Sequence, residues 1–119
     1  MFDLVGELKR NGYKVGLLSN TELPSAEFFL ETHPGLFDST VFSCHECITK
    51  PKIEPGVGPN LKIYEIAVKR LGVPAYQSLF IDDKEWCLES AQLAGLQGIL
   101  YKNYEQVKND FIRFGVKVN

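Results

Sequence analysis

The sequence predicts an α/β domain, a mostly parallel sheet with helices packed on both faces. Three observations lead there. Two apolar runs, Tyr13–Leu18 and Leu79–Ile81, are nearly continuous rather than alternating, as in strands covered on both sides. Each stops abruptly in small polar or acidic residues, Ser19-Asn20-Thr21 and Asp82-Asp83. Between and beyond them, apolar residues recur at helical spacing, so strands and helices alternate, which is the order a parallel sheet requires.

Taken along the chain, Leu4 to Lys9 reads as a short helix stopped by Asn11-Gly12. The strand Tyr13–Leu18 follows. After Pro24 the run SAEFFLETH suits a second helix, and a weaker strand is expected near Phe37–Ser43. Residues 50–60 contain three prolines and two glycines and must be loop. The next helix starts near Asn60, places Ile63, Ile66, Ala67 and Leu71 on its apolar side, and stops at Gly72. Leu79–Ile81 is a strand, 85–94 a helix ending at Gly95, and 97–101 a short strand. The last helix opens on Asn103 with Gln106 three positions on, the pattern of a capping box. Tyr104, Val107, Phe111 and Phe114 lie along one side of it. Leu17, Leu18, Phe80, Ile81 and Ile99 are the expected core of the sheet.

Composition removes several classes of function. At 119 residues the chain fits one domain, with no internal repeat or linker, and 45% apolar against 24% charged residues excludes a disordered segment. A net charge of -2 gives no long-range attraction to phosphate backbones, and the aromatic residues lie within apolar segments, so no nucleic-acid partner is expected. No stretch reaches the roughly 18 apolar residues of a membrane span, and the first ten residues lack a secretory pattern. Three cysteines, at 44, 47 and 87, are too few for a disulfide scaffold. A cytoplasmic location is the expectation. Cys44-His45-Glu46-Cys47 spaces two thiols as zinc ligands are spaced, but no second pair exists to complete four, and an ordinary loop is expected.

Ligands of open parallel sheets bind beyond the carboxyl ends of the strands. Ser19 and Asn20 stand at one such end and offer a hydroxyl and an amide suited to phosphate oxygens. Asp82 and Asp83 stand at another. A carboxylate pair there supplies the oxygen donors that a hard cation such as Mg²⁺ prefers, and Lys50 supplies positive charge.

GYKVGLLSNT, LFDSTVFSCHECITKP and QSLFIDD, in that order, resemble the second, third and fourth motifs of the haloacid dehalogenase superfamily, mostly Mg²⁺-dependent phosphatases. LKIYEIAVKRLGV and SAQLAGLQGILYKNYEQV resemble its phosphatase and phosphonatase-like branch. The resemblance covers nearly the whole chain. It implies a three-layer α/β/α sandwich with a Rossmann-like sheet. It also implies that Ser19 and Asn20 bind the phosphoryl group, that Lys50 is the catalytic cation, and that Asp82 and Asp83 hold Mg²⁺.

The resemblance is incomplete. The family's first motif, a strand ending Asp-x-Asp whose first aspartate is the nucleophile, has no counterpart, since no Asp-x-Asp occurs anywhere and Asp3 falls in a helix. The family's cap is missing as well, and the Pro- and Gly-rich stretch after Lys50 is an insertion relative to the usual spacing. Residues 1–119 are thus expected to form a single, incomplete core domain. The absent strand would lie centrally, between the strands ending at Ser19 and Asp82, so these strands either close on each other or receive another chain. A homodimer or a complementing amino-terminal fragment is the expected partner, beside a small phosphorylated substrate. The expected function is a phosphatase-like hydrolase domain, inactive as this isolated chain. The alternative is a non-catalytic remnant, or complementing fragment, that keeps a weak phosphate or metal site and acts through protein association.

Overall fold

The computed structural model describes residues 2–56 and 58–118, the side chain of residue 2 aside. Elements follow in the order α1 (Phe2–Arg10), β1 (Gly16–Ser19), α2 (Leu23–Thr32), β2 (Ser39–Phe42), α3 (Ser43–Glu46) and α4 (Lys62–Leu71), then β3 (Leu79–Asp82), α5 (Glu85–Leu93), β4 (Gln97–Leu100) and α6 (Tyr104–Arg113). A 3₁₀ turn at Ala75–Gln77 leads into β3. That turn and the four-residue α3 were not anticipated, being too short for a periodic signal. Within the loop expected over 50–60, residue 57 lies outside the described residues.

Each boundary has a local cause. β1 begins at Gly16 rather than Tyr13, because Tyr13 N–H still donates to Leu8 O at 3.0 Å and Val15 N–H is taken by the Asp38 carboxylate at 2.7 Å. A Cβ at position 16 would meet Ser39 Oγ at 2.9 Å, so a larger residue there would have to push the Ser39 side chain aside where β1 approaches β2. α4 starts at Lys62, with Asn60 Oδ1 accepting from Lys62 N–H at 3.1 Å, and ends on Gly72 in the left-handed region at φ 80°. Asn103 and Gln106 form the expected capping box at the start of α6.

Both pairs of strands among the described residues are parallel: β1 with β2, Leu17 opposite Thr40, and β3 with β4, Phe80 opposite Gly98. Helices cover both faces. Phe80 points towards α4 and α5 and packs in a core with Val41, Ile63, Tyr64, Cys87 and Leu88. Ile99 points the other way, into a second core with Leu4 and Leu8 of α1 and Val107 and Phe111 of α6, against which Leu79 and Ile81 pack. This is the three-layer, Rossmann-like sandwich.

The sheet itself is in two halves. Among the described residues β1 pairs with β2 alone and β3 with β4 alone. β1 and β3 have not closed on each other, and a 580 Å³ slot lies between them, lined by Leu17, Leu18, Leu79, Phe80 and Ile81. Of the expected core, Phe80 and Ile99 are buried, while Leu17, Leu18 and Ile81 are only half-buried because they border that slot. Phe114 lies past the end of α6 and is exposed.

Candidate functional site

The carboxyl ends of β1 and β3 meet on one residue. Lys50 N–H donates to Asn20 Oδ1 at 2.8 Å, just past β1, while its ammonium donates to Asp82 Oδ2, at the end of β3, at 2.6 Å. The ammonium also sits 5.6 Å from the Phe80 ring centroid, where the ring face favours a cation. Lys52 does the same over Trp86 at 5.4 Å, so the start of the Pro-rich loop is pinned across the head of α5. The lysine and aspartate side chains are each only 9% exposed.

Burial alone would push the Asp82 carboxyl up. The Lys50 ammonium and the Lys84 N–H, which donates to Asp82 Oδ1 at 3.0 Å, outweigh it and hold the carboxyl below the ordinary aspartate value. Asp82 is therefore an anion whose two oxygens are both engaged, and its neighbour Asp83 is exposed.

Ser19 is half-buried at the end of β1, its hydroxyl in hydrogen-bond contact with that of Thr21. The loop is held from the first residue of α3, just past β2: Thr21 N–H donates to Ser43 Oγ at 2.8 Å, and the buried Ser43 hydroxyl returns a bond to Thr21 O at 3.3 Å. Asn20 is exposed, and its carbonyl oxygen is committed to Lys50, so its amide N–H₂ is the part left to donate. Sequence reasoning missed Thr21, Ser43 and the Lys84 amide. The signal for Ser43 was present: it is a polar residue directly after the buried Val41-Phe42, at a third strand end.

Behind the site a buried network fixes α4 against α5. Tyr64 is fully buried, donates to Cys87 O at 2.9 Å and lies 2.6 Å from Ser90 Oγ, which itself donates to Cys87 O at 3.0 Å. Its ring meets Phe80 edge to face at 5.5 Å. Burial pushes the Tyr64 hydroxyl up to about 12, against the pull of Ser90, and the Cys87 thiol up to about 11, against the pull of Lys50. Unfolded tyrosine ionises near 10. The protonated phenol therefore contributes its full stability below pH 10, and that contribution drains as pH rises through 12. Between those limits about 2–3 kcal/mol should be lost, read as a falling urea midpoint, and Tyr64→Phe should flatten this alkaline limb.

Cys44 is half-buried and Cys47 exposed, in a left-handed turn at φ 57°. Among the described residues, no three or more His, Cys, Asp or Glu side chains gather as a metal-binding group.

A parallel sandwich with polar side chains gathered at the carboxyl ends of two strands defines a Rossmann-like α/β domain. The haloacid dehalogenase-like hydrolase family matches residues 1–95, and the chain belongs to that family. It is 31% identical over 101 residues to the sesquiterpene phosphatase astK of Aspergillus oryzae, covering 83% of this chain and 47% of that protein. Among solved structures, an uncharacterized protein of Corynebacterium glutamicum shares the fold with a TM-score of 0.77 at 24% identity, covering 99% of this chain and 82% of that one. The enzyme bt-2542 of Bacteroides thetaiotaomicron, an aspartate-to-alanine variant in complex with magnesium and inorganic phosphate, matches with a TM-score of 0.67 at 26% identity, over 84% of this chain and 51% of that one. The chain spans about half the length of the curated relatives it matches first.

Proposed function

We propose that the chain forms the phosphoryl- and metal-binding part of a Mg²⁺-dependent phosphomonoester hydrolase acting on a small phosphorylated metabolite, and that these 119 residues do not turn substrate over by themselves. The observation that carries this reading is the meeting of Asn20, just past β1, and Asp82, at the end of β3, on Lys50. The bt-2542 complex, which holds magnesium and inorganic phosphate, supports the choice of ligands.

In this reading Ser19 and the Asn20 amide donate to phosphoryl oxygens, with the Thr21 hydroxyl beside them. Lys50, anchored through its backbone to Asn20, swings its ammonium between the Asp82 carboxylate and the incoming phosphoryl charge. Asp82 and Asp83 are enough for Mg²⁺, a cation that binds through one or two carboxylates and keeps several waters. Its chemistry there would be neutralisation of phosphoryl charge. What the site lacks is a nucleophile. Asp82 is tied to Lys50 and Lys84, no Asp-x-Asp occurs in these residues, and charge stabilisation does not replace the missing covalent step.

The test is turnover of p-nitrophenyl phosphate by the purified chain with Mg²⁺, beside an Asp82→Asn control. Equal, background-level rates in both proteins are expected. Mg²⁺-dependent turnover abolished by Asp82→Asn would overturn the inactive reading.

A further inference from the structure

Each cysteine of Cys44-His45-Glu46-Cys47 directly follows a residue that anchors a neighbouring element. The stretch is not loop but α3, a single helical turn that Cys47 closes in the left-handed region. Ser43, just before Cys44, accepts from Thr21 N–H at 2.8 Å and donates to Thr21 O at 3.3 Å. Glu46, just before Cys47, accepts from both terminal nitrogens of Arg70 on α4, at 2.8 and 2.9 Å. One short turn thus ties the loop after β1 to α4.

All three thiols are reduced, and they differ in access. Cys47 is exposed and Cys44 half-buried, whereas Cys87 is buried in the core with Tyr64, Phe80 and Leu88, where an oxidant does not reach it. The backbone sets the spacing of the first two. With residues 43–46 helical, the Cα atoms of Cys44 and Cys47 lie about 5 Å apart, inside the roughly 4.4–6.8 Å that disulfides span. The Cβ atoms fit less well. On a regular turn they stand about 5–6 Å apart, and a disulfide brings them within roughly 4.5 Å, so closure displaces the turn by about 1 Å. Cys47 is where the turn gives. Its φ of 57° lies in the region that favours glycine, and a side chain is relieved by leaving it.

The two anchors do not follow such a movement equally. Arg70 is exposed and long, so its guanidinium can track Glu46. Ser43 has a short side chain bonded to backbone atoms of Thr21, and a displacement of about 1 Å carries that bond out of hydrogen-bonding range.

We propose that Cys44 and Cys47 form a reversible thiol–disulfide switch, closed by a small-molecule disulfide such as oxidised glutathione, and that closure releases the loop after β1 from Ser43. The exposed Cys47 thiolate attacks one glutathione sulfur, breaking the glutathione S–S bond and expelling one glutathione thiolate. The Cys44 thiolate then attacks Cys47 Sγ, forming the Cys44–Cys47 bond and expelling the second. Two electrons pass from the cysteines to glutathione disulfide, and the two cysteine protons end, through water, on the two released glutathione thiols. An exposed and strained bridge of this kind is readily reduced again, which suits a switch rather than a staple. The inference rests on α3 and the Thr21 loop alone, whatever that loop binds.

The test incubates the full chain with oxidised glutathione and then with dithiothreitol, followed by peptide mass mapping and residue-resolved amide exchange. A Cys44–Cys47 bridge is expected, seen as the loss of two hydrogens and reversed by dithiothreitol. Thr21 N–H should exchange about tenfold faster or more in the bridged form, with the amide resonances of 43–50 displaced. Cys44→Ser should stop with one glutathionyl group on Cys47, and Cys47→Ser should form no bridge and keep Thr21 slow. The proposal is overturned if the unaltered chain forms no Cys44–Cys47 bridge, if its glutathionyl adduct persists as in Cys44→Ser, or if the bridge forms and Thr21 exchange is unchanged.

Discussion

Lys50→Met is expected to lower the unfolding free energy by about 3–5 kcal/mol at pH 7, the cost of stranding a buried carboxylate. Methionine matches the length of the lysine stem and keeps its contact with Phe80, so the loss is electrostatic rather than steric. At 9% exposure water screens Asp82 little, and the Lys84 N–H is its remaining donor from the protein backbone. The sign with pH follows from the depressed carboxyl. In the unaltered chain the pair's contribution is complete above the ordinary aspartate value, near 4, and is lost as pH falls through the lower folded value. In Lys50→Met that acid limb should flatten or reverse, because an unpaired buried carboxyl is easier to hold protonated. Urea unfolding between pH 3 and 7 reads both effects. Asp82→Asn should cost less, since the lysine left behind is flexible and its ammonium can reach water.

Tyr64→Ala is expected to cost a similar 3–5 kcal/mol for the lost ring and cavity, and its origin can be separated from the first. The ring is wholly buried between α4, β3 and α5, and its hydroxyl closes the bonds to Cys87 O and Ser90. Tyr64→Phe keeps the volume and the edge-to-face contact with Phe80, and removes only the hydroxyl. Its expected cost is about 1–2 kcal/mol, partly contained by the bond that Ser90 Oγ retains to Cys87 O. Because α5 begins directly after Asp82-Asp83, the alanine variant should also broaden or shift the amide resonances of Asp82–Lys84, whereas the phenylalanine variant should leave them in place. Equal costs for the two variants would mean that packing around the ring contributes nothing.

The layers and the parallel pairing were legible in the sequence because buried parallel strands write themselves as unbroken apolar runs, as Leu79–Ile81 did, and because Asn103 and Gln106 mark the start of the last helix as a capping box. The approach of β1 to β2 was not, since it depends on a contact between Gly16 and Ser39 that no local pattern encodes. Leu17, Leu18 and Ile81 read as core because hydrophobicity reports what a residue suits, not whether its neighbour is present. The lack of a central strand was read only through the resemblance, from the missing Asp-x-Asp, and the gap left open between β1 and β3 was neither the closure nor the filling expected there. At the site, strand ends marked Ser19, Asn20, Asp82 and Asp83. The pairing of Lys50 with Asp82 came from a loop too rich in proline and glycine for spacing to place, and Thr21 and Ser43 were hidden because small hydroxyls at strand ends more often only shape turns.

The central claim, that this half-site binds a phosphoryl group and a hard cation together, is tested most directly by titrating inorganic phosphate with Mg²⁺ into the isotope-labelled chain. Saturable amide shifts centred on Ser19–Thr21, Lys50 and Asp82–Asp83 are expected, with the Mg²⁺-dependent part lost in Asp82→Asn. No saturable shifts at millimolar ligand, shifts centred elsewhere, or shifts unchanged by Asp82→Asn would contradict it.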